Sequence, residues 1–313
     1  MLDWATMGHD LDTCELESVL PDLVFYDEST NEEVAERIAD AEIVLGNKAV
    51  ISESLFEGAP KLRFIGLTAT GSDIINLEAA KKFGVAVANI RAYCTGSVVE
   101  HVFSCILSLA RNTCGYAADV RAGAWQDATT FCLLDRPISE LSAMTLGIVG
   151  YGELGRGVAR VAEAFGMDVV VAAQPGSDRA PEGRVLFDDL LARADVISLH
   201  CPLTAETRGL FGAAQFRAMK QSAFLVNTAR GALIDSQALA DALHMGEIAG
   251  AAVDVLPKEP PVNGDPLLDY DGDNLIVTPH IAWASREARQ NAVDELTANV
   301  RAFLNGEERN RVA

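Results

Sequence analysis

No stretch of this sequence stays apolar for the roughly 20 residues that crossing a bilayer requires, so no membrane-spanning helix is expected. The N-terminus, Met1-Leu-Asp-Trp-Ala, lacks a basic segment leading into an apolar core, and no secretory signal is expected either. The six cysteines (Cys14, Cys94, Cys105, Cys114, Cys132 and Cys201) form no C-x-x-C pair, which removes the usual zinc and dithiol signatures. They fall largely within apolar segments and read as reduced, buried thiols of a cytoplasmic protein with no metal site. Basic residues are scarce. Lysine and arginine number 25 against 45 aspartates and glutamates, giving a formal net charge of -20. A field of that sign repels nucleic acid and anionic membranes. It leaves room for a small anionic substrate, because a local arginine can reverse the field inside one cleft.

What is present is enough apolar material, 49% of 313 residues, for two domains of ordinary size, each with its own core. The most informative stretch runs from Met144 to Ala172. Thr145-Leu-Gly-Ile-Val149 reads as a strand, and Gly150, Gly152 and Gly155 follow at the G-x-G-x-x-G spacing. A segment with helical periodicity (Leu154, Val158, Val161, Ala162, Phe165) then leads to a second β-branched run, Val169-Val-Val171. This is a βαβ unit with a dinucleotide fingerprint. Gly150 permits the tight turn, Gly152 lets the backbone approach a pyrophosphate, and Gly155 lets helix and strand pack closely. The helix N-terminus offers free N–H groups and a partial positive charge to the phosphates.

Before this unit, short apolar runs alternate with helical stretches. Leu23-Val-Phe25, Ile43-Val-Leu45, Arg63-Phe-Ile-Gly66 and Val85-Ala-Val87 read as strands. Asn31–Ala39 and Leu77–Phe83 read as helices, with Asn31 and Asn76 as N-caps. The pattern is that of a parallel sheet with helices on its faces. Just past the strand at Phe64, the small-residue loop Ala69-Thr70-Gly71 can present backbone N–H groups to a carboxylate. Ser97–Arg111 is apolar nearly all round and reads as a buried helix connecting two domains, with Glu100 and His101 as polar core or helix-end residues. Gly115–Leu141 shows no clear element; Trp125, Phe131 and Cys132 are its apolar points, and a dimer contact is expected there.

After the Gly-rich unit the alternation is regular. Helices at Phe187–Ala194, Ala213–Met219 and Ser236–His244 (capped by Asp235) precede strands at Val196–Leu199, Ala223–Asn227 and Ala249–Asp254. Leu275–Val277 is a last strand. Together with Leu146 and Val169 this makes about six strands, a doubly wound α/β dinucleotide-binding domain of full size. Arg286–Leu304 is an amphipathic final helix ending at Asn305-Gly306.

Chemistry belongs at the strand C-termini, and three loops there carry ionisable groups: Arg230 in Asn227-Thr-Ala-Arg-Gly231, Glu259 in Asp254-Val-Leu-Pro-Lys-Glu-Pro-Pro261, and His280 in Thr278-Pro-His-Ile-Ala-Trp283. Hydride transfer from a nicotinamide to a 2-oxo acid leaves an alkoxide that must be protonated as it forms, a task suited to histidine. A neighbouring carboxylate favours the protonated ring and fixes its orientation. A guanidinium can hold the substrate carboxylate and polarise its carbonyl.

Over nearly its whole length the chain resembles the D-isomer-specific 2-hydroxyacid dehydrogenases. The likeness lies in Gly71-Ser-Asp73, Tyr93–His101, Gly150–Gly155, His200-Cys-Pro-Leu-Thr204 through Thr207, Asn227–Gly231, Asp254–Pro261 and Pro279-His280. The resemblance implies that Arg230, Glu259 and His280 form a catalytic triad with the roles just argued. It implies two doubly wound α/β parallel-sheet domains of Rossmann-like or flavodoxin-like type: a discontinuous substrate domain, 1–97 with 286–313, and an NAD(P)-binding Rossmann domain, 98–285. Glu153, Leu154, Cys201, Pro202, Thr207, Thr228, Ala229, Arg230, Asp254 and His280 would line the cofactor with the three glycines. Ala69, Thr70 and Gly71 would hold the substrate carboxylate, with Trp283 limiting the pocket. A homodimer is implied too. Within the family, His280-Ile-Ala-Trp283 is most similar to glycerate dehydrogenases, also called hydroxypyruvate reductases, which often reduce glyoxylate. The chain ends soon after its last helix, so no added regulatory domain is expected, and Glu259 stands where formate dehydrogenases have an amide.

One departure bears on the cofactor. The acid expected about 20 residues past the glycines, to hold the ribose hydroxyls of NAD, is missing, and Ala173 and Gln174 stand there. Nothing then repels a 2′-phosphate, and Arg179 could reach one if its loop folds back. NADP is expected to be accepted beside NAD. Other acids (phosphite, D-lactate, a sugar acid) and a non-catalytic NAD(H)-sensing role are the competing expectations.

Overall fold

A computed structural model describes all residues, Met1–Ala313. The chain divides into two compact units, 1–94 with 284–313 and 95–283. The divisions fall a few residues before those expected at 97 and 285, because the connecting helix already begins at Thr95. No helix is long and apolar enough to cross a membrane, and all six cysteines are free thiols; only Cys105 and Cys201 are buried, while Cys14 and Cys114 are exposed, against the expectation of buried thiols.

The first unit opens with two short segments, α1 (Cys14–Val19) and α2 (Asn31–Ile38). Asn31 is the first helical residue and not the cap; Thr30 takes that place. Its hydroxyl accepts from the Glu33 N–H while the Glu33 carboxylate accepts from the Thr30 N–H, a reciprocal capping box. Strand β1 (Ile43–Gly46), helix α3 (Glu53–Glu57), strand β2 (Phe64–Leu67), helix α4 (Leu77–Phe83) and strand β3 (Ala86–Ala88) follow. Asn76 caps α4 as expected, accepting from the Ala79 N–H. The three strands pair in parallel in the order β1-β2-β3. Val34, Ile38, Val44, Ile65, Leu67, Ala79 and Val87 meet in one buried core. Leu23–Phe25 forms no strand. That stretch runs beside the N-terminus, with the Tyr26 N–H on the Met1 carbonyl and the Trp4 N–H on the Tyr26 carbonyl. The Met1 amino group also donates to the Val24 carbonyl at 2.8 Å, so the stretch is tied along the N-terminus and pairs with none of the three strands.

The second unit starts with α5 (Thr95–Arg111) and α6 (Thr113–Arg121). The latter corrects the reading of the region after Gly115 as irregular: α6 has no buried residue, so it carries no core stripe to betray it in the sequence. Next come β4 (Thr145–Val149), α7 (Glu153–Ala164), β5 (Asp168–Val171), α8 (Phe187–Arg193), β6 (Val196–Leu199), α9 (Ala213–Ala218), β7 (Phe224–Asn227), α10 (Ser236–His244), β8 (Gly250–Val253) and β9 (Leu275–Val277). All six strands are parallel, in the order β5-β4-β6-β7-β8-β9. A single parallel bridge from Ala172 to Val185 extends the sheet outward past β5. The chain thus winds one way from β4 and then reverses at β6, the doubly wound arrangement. Strands β6, β7 and β8 are buried at every position, which is why they read as unbroken apolar runs. α5 crosses α7 closely: a Cβ on Gly157 would lie 2.9 Å from Val99 Cγ2, and the Phe103 and Phe165 rings stack at 5.4 Å. The chain returns to the first unit with α11 (Arg286–Leu304), capped by Ser285 and packed on β2.

Candidate active site

Parallel strands deliver their C-terminal loops to one edge of a sheet, and the residues singled out from the sequence lie on those loops. At the end of β4 the chain turns on Gly150, whose φ of +96° is a left-handed value. A side chain there would also strike the next strand, since a Cβ would come within 2.4 Å of the Cys201 amide nitrogen. Gly155 is equally confined, 2.2 Å from the Gly150 carbonyl oxygen. Gly152 differs: nothing lies where its Cβ would be. It is the N-cap of α7 and supplies no side-chain cap, so the first-turn N–H groups of that helix face open space. Such a cradle fits a pyrophosphate. Glu153, at the first helical position, accepts a hydrogen bond from the Thr95 hydroxyl of α5, and Leu154 is half-buried.

Past β6, His200 and Cys201 lie behind the Gly150 turn. Burial pushes the His200 imidazole down to about 4, and Ser198 Oγ sits 2.8 Å from its Nε2. Burial also raises the Cys201 thiol. Thr207 donates to the Pro202 carbonyl at 2.8 Å and accepts from the Thr204 N–H, so its hydroxyl ties this loop together. Past β7, Asn227 folds the loop over itself, accepting from the Ala229 N–H and donating to the Arg230 carbonyl. The Thr228 hydroxyl is buried without a partner, as a group kept for a ligand would be. The Arg230 guanidinium is exposed and donates to the Ala229 carbonyl. Gly231 then meets the backbone after β8, where a Cβ would come within 2.0 Å of the Leu256 carbonyl carbon. That approach brings the arginine loop against the glutamate loop.

The Glu259 carboxylate is held at both oxygens. Oε1 accepts from the Leu256 N–H at 2.8 Å, and Oε2 lies 2.5 Å from His280 Nδ1. His280 sits just past β9 with φ at +57°, pinned there by its own N–H on the Asp254 carbonyl at 2.8 Å. The Asp254 side chain, 2% exposed, holds the rest of that turn, accepting from the Thr278 hydroxyl and from the Ile281 and Ala282 N–H groups. Trp283 donates its indole N–H to the His280 carbonyl at 3.0 Å. A cavity of about 450 Å³ opens beside these groups, lined by Asp254, Leu256, Glu259, Leu268, Thr278 and His280 among others.

α5 braces the same turn. Ser97 donates to the Ala282 carbonyl at 2.7 Å, and His101 Nε2 lies 3.2 Å from Thr278 Oγ1 and 3.7 Å from Asp254 Oδ1. One turn along, burial and the Asp254 charge push the Cys105 thiol up to about 11. His101 thus belongs to the support of His280, a role invisible to the sequence because its partners are 177 and 153 positions away.

Ala173 is buried past β5 and Gln174 is exposed, so neither position there supplies a carboxylate. Arg179 is exposed and makes no bond. In the first unit, the loop after β2 is tied through its carbonyls and one hydroxyl: Ala69 and Thr70 carbonyls accept from the Ile90 N–H and the Asn89 amide, and Thr70 Oγ1 donates to the Ile90 carbonyl. The Ala69, Thr70 and Gly71 N–H groups are left free to donate. The molecule has no cluster of three or more His, Cys, Asp or Glu side chains able to hold a metal ion.

Residues 103–282 match the family described as D-isomer specific 2-hydroxyacid dehydrogenase, NAD binding domain. The chain is 45% identical over 284 residues to a glycerate dehydrogenase of Methylorubrum extorquens, covering 90% of this chain and 89% of that protein. It is 37% identical over 303 residues to a hydroxypyruvate reductase of Blautia hydrogenotrophica, covering 95% and 93%. Among solved structures, an acyclic imino acid reductase in complex with NADPH and D-Arg superposes with a TM-score of 0.85 at 29% identity, covering 97% of this chain and 96% of that one.

Proposed function

Because the chain belongs to the D-isomer specific 2-hydroxyacid dehydrogenase family, we propose that it reduces a small 2-oxo acid, hydroxypyruvate or glyoxylate, to the D-2-hydroxy acid and runs the reverse reaction. The observation that carries this reading is the His280–Glu259 pair, 2.5 Å apart at successive strand ends, in the loop cluster that also holds Arg230 and the partnerless Thr228 hydroxyl. Gly150, Gly152 and the α7 N-terminus would hold the dinucleotide, with Thr228 and the loops at Cys201 and Asp254 along its length. When bound, the nicotinamide supplies the hydride. His280 Nε2 delivers a proton to the substrate oxygen as charge develops on it, and recovers it in the reverse direction. Glu259 fixes the ring by its Nδ1 side and balances the imidazolium charge. Arg230 binds the substrate carboxylate and polarises the carbonyl. In the first unit, the free N–H groups of Ala69, Thr70 and Gly71 suit a carboxylate, and Trp283 of the second unit limits the side-chain pocket.

Both NAD and NADP are accepted in this reading, since no carboxylate stands at the end of β5 to repel a 2′-phosphate. The working form is a homodimer, with the apolar face between Val120 and Ile138 as its contact. The experiment is initial-rate oxidation of NADPH and NADH with glyoxylate, hydroxypyruvate and pyruvate, beside a His280→Ala control. Turnover of the two polar acids is expected, falling by about 10²- to 10⁴-fold in the control. No turnover with either cofactor, or an unimpaired control, would overturn the assignment.

A further inference from the structure

The geometry points to Arg184 as the residue that receives the 2′-phosphate of a phosphorylated dinucleotide. This rests on the reading that NADP is accepted, and it names the group responsible. Ribose hydroxyls in a doubly wound domain lie at the end of the strand that follows the Gly-rich helix, here β5. That end is built from Ala172 and Ala173, both buried, and neither can bond a sugar through its side chain. The cation comes from elsewhere in the chain. The parallel bridge between Ala172 and Val185 lays the next segment alongside β5 and puts Arg184 next to its terminus. There Arg184 Nη1 donates to the Ala172 carbonyl at 3.1 Å, and its guanidinium carbon lies 5.9 Å from the centroid of the Tyr151 ring. Tyr151 is the residue between the first two glycines of the fingerprint.

Three features make this guanidinium a receptor for an anion. It is held, by one hydrogen bond and one ring face, so little side-chain freedom is lost on binding. It pairs with no carboxylate, although the chain carries 45 of them. Of its five N–H donors only one is used by the protein. A second unpaired arginine, Arg156, donates to the Tyr151 carbonyl at 3.3 Å, so Tyr151 of the fingerprint turn has two guanidinium groups beside it. Arg179, the reader expected from the sequence, is exposed and touches none of these groups.

The test is a set of binding titrations on the full chain, requiring no turnover. Dissociation constants for NADPH and NADH, and for adenosine 2′,5′-bisphosphate and adenosine 5′-monophosphate, would be measured for the native protein, Arg184→Met, Arg184→Lys and Arg179→Met. The expected result is a loss of roughly 10- to 100-fold for the two 2′-phosphorylated ligands in Arg184→Met. The other two ligands should change less than threefold, Arg184→Lys should lose less, and Arg179→Met should match the native protein. Equal losses for all four ligands, no loss, or a loss confined to Arg179→Met would overturn the assignment. A native protein that binds NADH a hundredfold or more tighter than NADPH would remove the NADP reading together with this one. Intact discrimination between the two adenosine ligands in a protein that turns over no 2-oxo acid would sink the proposed reaction and leave Arg184 in place.

Discussion

Glu259 and His200 represent two opposite uses of an ionisable group near the same strand ends. Glu259 is tied by both oxygens, one to the Leu256 N–H and one to His280 Nδ1, so it fixes the ring from its Nδ1 side. His200 is kept neutral: burial lowers it to about 4 from the ordinary 6.5, with Ser198 as its polar neighbour. The linkage has a definite sign. The unfolded chain takes up a proton at this ring near pH 6.5 and the folded chain only near 4, so the unfolded state holds more protons in between. The contribution to stability is complete above pH 6.5 and is lost as the pH falls from 6.5 towards 4, by about 2 kcal/mol for a ring that keeps some exposure. Denaturant unfolding at pH 7.5 and 4.5 checks this. His200→Gln retains a polar partner for Ser198 and should lose about 2 kcal/mol less than the native protein between those two values. An identical loss in both would mean that the ring titrates normally in the fold.

Helix α5 is the element that joins the Gly-rich turn to the His280 turn within the second unit. Its N-terminus bonds Glu153 of α7 through Thr95, its first turn holds the Ala282 carbonyl through Ser97, and His101 reaches Thr278. We expect His101→Phe to lower kcat about tenfold with little change in the affinity for NADH, because the turn carrying His280 loosens by roughly one hydrogen bond. His101→Gln, whose amide can still donate to the Thr278 hydroxyl, should recover most of the rate. Equal behaviour of the two variants, measured by steady-state kinetics and cofactor titration, would separate α5 from the positioning of His280. The sequence carried the apolar periodicity of α5 but not this task. Period and run length follow from local sterics and burial, so β4, β6, β7, β8 and the Gly-rich turn were legible. So were the three loops bearing Arg230, Glu259 and His280, since they follow strand ends. Interactions closed over long chain separations leave no local trace. The Asp254 hold on Ile281 and Ala282, and the approach of Arg184 to Ala172 through the Val185 bridge, depend on sheet neighbours. The missed helix α6 has no buried face, and Leu23–Phe25 has strand composition without a ladder to join.

At the scale of the whole molecule, the two largest surface properties oppose one another. The segment following α6 exposes large apolar side chains together, with Phe131 89% exposed, Leu134 77% and Trp125 54%. Tyr116, Val120, Trp125, Phe131, Leu133 and Ile138 line one shallow apolar depression there. Isolated apolar side chains on a surface need no explanation, but a contiguous group marks an interface. Each such side chain, if fully buried by a second copy, contributes about 1.5–3 kcal/mol. Against this, each copy carries a net charge of -20, so two copies repel, and the repulsion fades with salt over a Debye length of about 10 Å at 0.1 M. The dimer proposed above should therefore tighten with ionic strength, the reverse of an assembly held by salt bridges. Light scattering on a dilution series at low and high salt measures it. The native chain is expected to shift towards monomer at low salt, and Phe131→Glu with Leu134→Glu should be monomeric at every salt concentration while still binding NADH. A double variant that stays dimeric would move the contact to another face. A native dimer that weakens as salt is added would mean that charge pairs, and not this apolar face, hold the copies together.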